Sequence, residues 1–456
     1  MLPGTRHREE GAVSWFWDAS LLAGPAPAVI SLIGALSLLL LLVWPEPKPR
    51  PDWWRRVVPL SAAGSVLLVA LADLVLELWR PFPDQLPARV LAWAAIGLWA
   101  VLLAVARARR SGRRAPGWRR CCAVGLAALL VLTLAAMKIN AFYGYRPSIG
   151  AALGRSPADE VDFSALAGTR PTPPTNPGRS LIESWQPPPD MPRTGRVTHV
   201  DIAGTHSGFR ARPASIYLPP AYLGSARPLL PVLVLIAGQP GGPEDWLVAG
   251  KLSAILDAFA STHAGLAPVV VVADATGSSF ANSLCLDSKL ARAETYLADD
   301  VPAWIVGNLQ IDHAAAHWAI GGFSFGGTCA LQLAVRRPSV FPTFLDISGQ
   351  QEPTLGSHDK TVWSAFGGDE GAFHAVNPLD ILAAQRFTPT EGVLAVGTDD
   401  HEYGPQCLRV ADASRAAGMS IQLLRPPGGH SWAVAADSLR AALPILATRA
   451  RLIPPP

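Results

Sequence analysis

Charge is scarce in this chain. Only 16% of its 456 residues are Asp, Glu, Lys or Arg, against about 25% in an ordinary soluble domain, while half are hydrophobic. That balance excludes a disordered or heavily solvated protein. Cysteine is sparse as well. Five are too few for a disulfide scaffold, and none stands in a CxxC or Cys/His spacing that would hold a metal. Glycine and proline together make 83 residues, yet no collagen-like period and no internal repeat is found. The net charge of +3 divides unevenly: residues 1–141 carry 16 basic against 8 acidic side chains, and residues 142–456 carry 22 against 27. An acidic C-terminal part lacks the footprint of a nucleic-acid binder.

Long apolar runs are what the first third does contain. Residues 19–44 hold no charge at all, and further apolar stretches follow at about 57–79, 88–106 and 121–139. Crossing a bilayer takes about 20 largely apolar residues, so four membrane helices are expected over 19–140, behind a tail of residues 1–18. The first run is too long, and its n-region too weakly basic, for a cleavable signal peptide. Orientation follows from the loops. Lys48, Arg50, Arg55 and Arg56 lie between spans one and two; Arg107, Arg109, Arg110, Arg113, Arg114, Arg119 and Arg120 lie between three and four; the middle loop has Arg80 and Arg89 alone. The positive-inside rule then puts the first and third loops in the cytoplasm, and both termini outside. The third loop is also suited to anionic lipid headgroups. Asp73 and Glu77 share one face of the second span. An ionisable pair there marks function by default, but beside Trp79 and Arg80 it better fits side chains that snorkel to the interface or pair with Lys138.

Residues 141–194 are proline-rich, with PTPPTNP at 171–177 and PPPD at 187–190, and read as a linker or an extended belt. From 195 to 450 the pattern changes. Apolar strand runs at 196–202, 211–219, 231–238, 268–277, 317–324, 343–350, 392–400 and 420–427 alternate with helical patterns such as 325–336, 405–418 and 432–447. That alternation predicts an α/β fold with a mainly parallel sheet covered by helices.

The sharpest chemical signal is Gly322-Phe323-Ser324-Phe325-Gly326, a G-x-S-x-G pentapeptide with an apolar strand before it and a helical run after it. In a strand–elbow–helix turn the small flanking residues let the serine backbone take a strained, closely approached conformation. A serine nucleophile needs a base, and the base an orienting carboxylate, here in the chain order Ser, acid, His. Of the downstream histidines, His430 lies in a PPGGHSW loop between the last strand and the last helix and is preferred. His401 follows a strand end where the acid belongs, and His358 and His374 fall in a cap region facing solvent or substrate. The strand end Gly397-Thr398-Asp399-Asp400-His401-Glu402 offers three carboxylates. Asp400 is the first choice, with Asp399 and Glu402 behind it. An oxyanion hole needs two converging N–H groups. One is expected from Phe325, the other from Gln239 in the loop after strand 231–238, because Pro240 has no N–H to give. In the oxidising space outside a membrane, Cys285 and Cys407 are the expected disulfide pair, with Cys329 a buried small hydrophobe.

The GFSFGG elbow, the GTDD strand end, the GGHSW loop and the segment Glu294-Thr295-Tyr296-Leu297 ahead of Asp300-Val301-Pro302 together resemble the esterase family of α/β-hydrolases. That family includes esterase D, the feruloyl and enterochelin esterases and the secreted mycolyltransferases. The resemblance covers about 195–447 and leaves the membrane spans outside it. It implies an α/β-hydrolase fold, ester chemistry without metal or organic cofactor, and Asp400 as the triad acid, since members with a GT-x-D strand end use that final Asp. The mycolyltransferases use a Glu slightly further on, which keeps Glu402 in play. One departure is Ala237-Gly238, where relatives carry His-Gly or Asp-Gly.

The expectation is a multi-pass membrane protein with an extracytoplasmic serine esterase domain. Its partners would be the lipid bilayer and an acyl-ester substrate of the cell envelope (a lipid, a glycolipid or a polymer). Acyl transfer through the same triad, and a non-catalytic envelope binding protein that keeps the fold, are the alternatives.

Overall fold

The computed structural model describes residues 16–44, 52–79, 85–109, 118–154, 160–166, 168–173 and 178–455. Among them the chain divides into two compact units, Met1–Ser156 and Pro157–Pro456.

The first unit is built on four helices, α1 (Pro25–Val43), α2 (Trp53–Trp79), α3 (Ala88–Arg109) and α4 (Trp118–Tyr143). Each is long and apolar enough to cross a membrane. Helix α1 opens on Gly24-Pro25, with proline at a position whose N–H would have no helical partner anyway. Leu41, Trp53, Leu103, Val124 and Val131 form a buried cluster between the helices. A Cβ added at Gly34 would lie 2.6 Å from the Leu134 Cβ, so glycine is what lets α1 and α4 approach. Arg107, counted above with the basic loop, turns inward instead. Its guanidinium lies 3.6 Å over the Trp53 ring and donates to the carbonyls of Leu41 (3.0 Å) and Leu42 (2.6 Å) at the end of α1. Those are carbonyls that the helix itself leaves unpaired, and a cation there also complements the helix dipole. Asp73 is half-buried on α2, whereas Glu77 is exposed. Lys48, Arg50, Arg80, Arg110, Arg113 and Arg114 lie outside the described residues.

The second unit is a mixed eight-stranded sheet: β1 (Arg196–Val200), β2 (Ala214–Leu218), β3 (Val232–Ile236), β4 (Val269–Ala273), β5 (Trp318–Phe323), β6 (Thr343–Ile347), β7 (Glu391–Ala395) and β8 (Ser420–Leu424). The order is β1-β2-β4-β3-β5-β6-β7-β8. Only the β1–β2 and β2–β4 pairs are antiparallel. Seven of the eight strands fall within the apolar runs expected above, and β7 begins one residue earlier, at Glu391. VLVLI of β3 and VVVVA of β4 are buried at every position, as strands covered on both faces must be. The covering helices include α5 (Leu252–Thr262), α6 (Val301–Asn308), α7 (Phe325–Arg336), α8 (Tyr403–Ala416) and α9 (Trp432–Arg449).

The proline-rich stretch from Glu160 onward lies against this second unit as a belt. The Val161 N–H donates to Val197 O at 2.9 Å, Gln310 binds Arg170 through both its amide atoms, and Arg227 donates to Gly168 O at 2.8 Å. Proline-rich chain has few donors of its own, so side chains of the domain hold it instead.

Candidate active site

The chain order of the sheet reverses around β3, which lies between β4 and β5. In open α/β sheets such a switch point, at the carboxyl ends of the strands, is where ligands bind. Four of the residues singled out by sequence come to that edge. Gln239 follows β3, Ser324 follows β5, Asp400 lies beyond β7 and His430 beyond β8.

Ser324 adopts φ 57°, ψ −119°, a left-handed conformation that a non-glycine residue takes only at a cost of about 1–3 kcal/mol. Its neighbours explain how the turn closes. A Cβ at Gly322 would lie 2.3 Å from the Gly326 backbone, and one at Gly326 would lie 2.2 Å from Ile236 O. Both positions therefore require glycine, and the pentapeptide is a true elbow. The Ser324 N–H is tied to Ile347 O at 2.8 Å, and the Ser324 carbonyl accepts from Gly327 and Thr328 N–H groups as α7 begins.

His430 Nδ1 lies 3.0 Å from Asp400 Oδ2. The ring is stacked on Tyr403 (4.3 Å between centroids) and on Phe323 (4.8 Å), the residue before the serine. Asp400 is buried and also accepts from the Tyr403 N–H at 3.0 Å. Burial works against its ionisation, but the hydrogen bond and charge of His430, with the Tyr403 N–H, outweigh it and hold the pKa below the ordinary carboxylate value. An ionised acid on Nδ1 leaves Nε2 as the free base nitrogen.

The competing residues are placed elsewhere. Asp399 is exposed and bonds locally to Thr398 Oγ1, His401 is exposed, and Glu402 is exposed at the start of α8. His358, half-buried, pairs with exposed Glu370 at 3.0 Å, and exposed His374 pairs with half-buried Asp380 at 2.8 Å. Glu294 instead holds Arg336 and Arg337 at the end of α7, at 2.8 and 3.0 Å.

For the oxyanion donors, Phe325 begins α7, where an N–H has no partner within the helix. A Cβ at Gly238 would lie 3.5 Å from the Ser324 Cβ, which puts the loop carrying Gln239 against the nucleophile. Among the described residues neither the Phe325 nor the Gln239 N–H donates to a backbone acceptor. Two such donors beside a serine can stabilise an alkoxide.

The cysteine pairing departs from expectation. Cys285 is bonded to Cys329, with 5.5 Å between Cα atoms, and Cys407 is a free thiol. Cys407 faces inward from α8, and burial pushes its thiol up to about 12. Of the two rings that clamp the imidazole, Phe323 belongs to the pentapeptide itself, whereas Tyr403 lies one residue past the GTDDHE strand end.

Residues 207–434 match the Esterase family model. Over 397 residues the chain is 34% identical to an uncharacterized protein of Corynebacterium glutamicum, a match covering 85% of this chain and 87% of that protein. That span is longer than the C-terminal unit, so it takes in part of the N-terminal helices. Among solved structures, a ferulic acid esterase superposes with a TM-score of 0.50 at 17% identity, over 56% of this chain and 98% of its own. An S-formylglutathione hydrolase from Agrobacterium tumefaciens gives 0.48 at 18% identity, over 57% and 97%.

Proposed function

Because this chain belongs to the Esterase family, with an α/β-hydrolase fold, we propose that it is a membrane-anchored serine esterase acting outside the cytoplasm on a carboxylic ester of the cell envelope. The observation that carries this reading is the His430–Asp400 contact at 3.0 Å, with the imidazole packed on Phe323 beside the strained Ser324.

This reading assigns each step to a residue at the sheet edge. Ser324 Oγ attacks the ester carbonyl carbon while His430 Nε2 takes the hydroxyl proton. The imidazolium so formed is stabilised by Asp400 across Nδ1. Negative charge develops on the carbonyl oxygen, where the Phe325 and Gln239 N–H groups receive it. Collapse of the tetrahedral intermediate expels the alcohol, which leaves with the proton held by His430. Water, deprotonated by the same nitrogen, then attacks the acyl-enzyme, and Ser324 is regenerated.

Location rests on two supports. The basic loops argue for an outside C-terminal unit, and the Cys285–Cys329 disulfide suits an oxidising compartment. Phe280, 68% exposed on the segment that receives the Gln239 side chain, gives the oxyanion loop an apolar edge suited to an acyl chain. Acyl transfer to an alcohol would use the same acyl-enzyme, so product analysis with a sugar or lipid alcohol present separates it from hydrolysis. The direct test is a fluorophosphonate probe. Labelling should map to Ser324 and vanish in Ser324→Ala. An unlabelled wild-type protein, folded by circular dichroism, would end this reading.

A further inference from the structure

The side chain of Gln239 turns into a neighbouring loop of its own unit. Its Nε2 donates to the carbonyls of Phe280 and Ala281, each at 3.1 Å, and its Oε1 accepts from Asn282 Nδ2 at 2.9 Å. Asn282 in turn donates to Thr354 O at 3.1 Å and accepts the Leu284 N–H at 2.8 Å. Three of the four hydrogen-bonding directions of the Gln239 amide are thus turned into one short segment, 280–282.

That segment is itself fastened. Leu284 and Cys285 both have positive φ, 60° and 53°, which turns the chain sharply towards α7. There Gln332 Nε2 donates to Leu284 O at 3.1 Å, and Cys329 is bonded to Cys285. Cys329 lies one turn beyond Phe325 on the same helix. The two oxyanion donors therefore belong to one braced frame. Phe325 is held by α7, and Gln239 is held to α7 through its own amide, Asn282 and the disulfide.

We infer that Asn282 is a positioning residue of this esterase site: by gripping the Gln239 side chain it aims the Gln239 backbone N–H at the developing oxyanion. The inference rests on the proposed nucleophilic role of Ser324. The bond from Asn282 is made to a side chain and not to substrate, so its loss should disturb the transition state more than ground-state binding. Losing an oxyanion donor outright costs about 10²–10³ in kcat, and a donor left in place but poorly aimed costs part of that.

The test uses the full-length protein in detergent, a p-nitrophenyl acyl ester, and an alkyl trifluoromethyl ketone whose hemiketal oxygen mimics the oxyanion. Asn282→Ala should lower kcat roughly 10- to 100-fold with KM within about two-fold, and weaken the ketone by the same factor as kcat. Gln239→Met keeps the backbone N–H but removes the amide, and should lose as much. The double variant should lose no more than the larger single loss, because both break one interaction. Rates are taken per serine titrated by a fluorophosphonate, so a merely destabilised protein shows fewer titratable serines at unchanged kcat. Unchanged kcat per serine in Asn282→Ala, or losses that multiply in the double, would overturn the inference while activity abolished by Ser324→Ala leaves the esterase reading intact. A wild-type protein that neither labels at Ser324 nor hydrolyses the ester removes both.

Discussion

Asp400 and His430 are thirty positions apart in the chain, yet Asp400 Oδ2 and His430 Nδ1 meet at 3.0 Å with Asp400 almost fully buried. Neither exposed neighbour, Asp399 or Glu402, shares that environment. Asp400→Asn should therefore lower kcat by about 10⁴-fold, because the amide favours the wrong imidazole tautomer. Asp399→Asn and Glu402→Gln should stay within about ten-fold of wild type. His430→Ala should fall as far as Ser324→Ala, since members of such a unit are not additive, and exposed His401→Ala should be near normal. Steady-state kinetics on the purified variants decide this. A Glu402 effect larger than that of Asp400 would reassign the acid.

The disulfide gives a stability prediction. Its two cysteines are 44 residues apart, and closing a loop of that length stabilises by about 4 kcal/mol in the chain-entropy model. Cys285→Ser or Cys329→Ser should lower the urea midpoint of the catalytic unit accordingly, and reduction of the wild type should do the same. Peptide mapping without reductant should recover the 285–329 link and a free Cys407. A 285–407 link would contradict the fold.

Much of this arrangement is legible in the amino-acid sequence. Buried parallel strands announce themselves as runs such as VLVLI and VVVVA, and the elbow needs glycine at 322 and 326 for steric reasons alone. The disulfide was not legible. Its partner is set by left-handed backbone at Leu284 and Cys285, residues that do not advertise such a turn as glycine or asparagine would. The Gln239–Asn282 grip joins residues 43 apart, with no local pattern to reveal it. Arg107 looked like a loop cation because its inward turn depends on carbonyls of another helix.

Asp346 supplies a pH dependence separate from catalysis. It is fully buried on β6, accepting the Gly349 N–H at 2.8 Å, and burial raises its pKa to about 7. The native state thus keeps a proton that the unfolded chain releases near about pH 4. Stability from this group is fully present below that pH and is lost as pH rises towards about 7. Asp346→Asn retains an acceptor for Gly349 and cannot ionise. The variant should match wild type at about pH 3 and melt several degrees, roughly 5 °C, above it at about pH 8. Parallel melting curves at the two pH values would show that Asp346 does not titrate in this way.

Topology decides where the chemistry operates. Four basic residues at the first loop and six at the third, with Arg107 set apart, against two at the second, should keep the first and third loops in the cytoplasm and carry residues 141–456 outside. A reporter active only outside, fused after Pro456, should signal, and one active only in the cytoplasm should stay silent there; fusions near residue 112 should give the reverse. Native thiols supply an independent check. Cys121 and Cys122 are exposed at the start of α4, beside Arg119 and Arg120, whereas Cys407 is buried with a raised pKa. Thiolate is the reactive form, so Cys407 should resist maleimides. In intact cells a membrane-impermeant maleimide should leave the protein unlabelled, and permeabilisation should expose Cys121 and Cys122. Labelling of those two cysteines before permeabilisation, together with a cytoplasmic signal from the C-terminal fusion, would invert the protein and remove the envelope substrate. The contact between His430 and Asp400 would be untouched, and the search for an ester would move to the other side of the membrane.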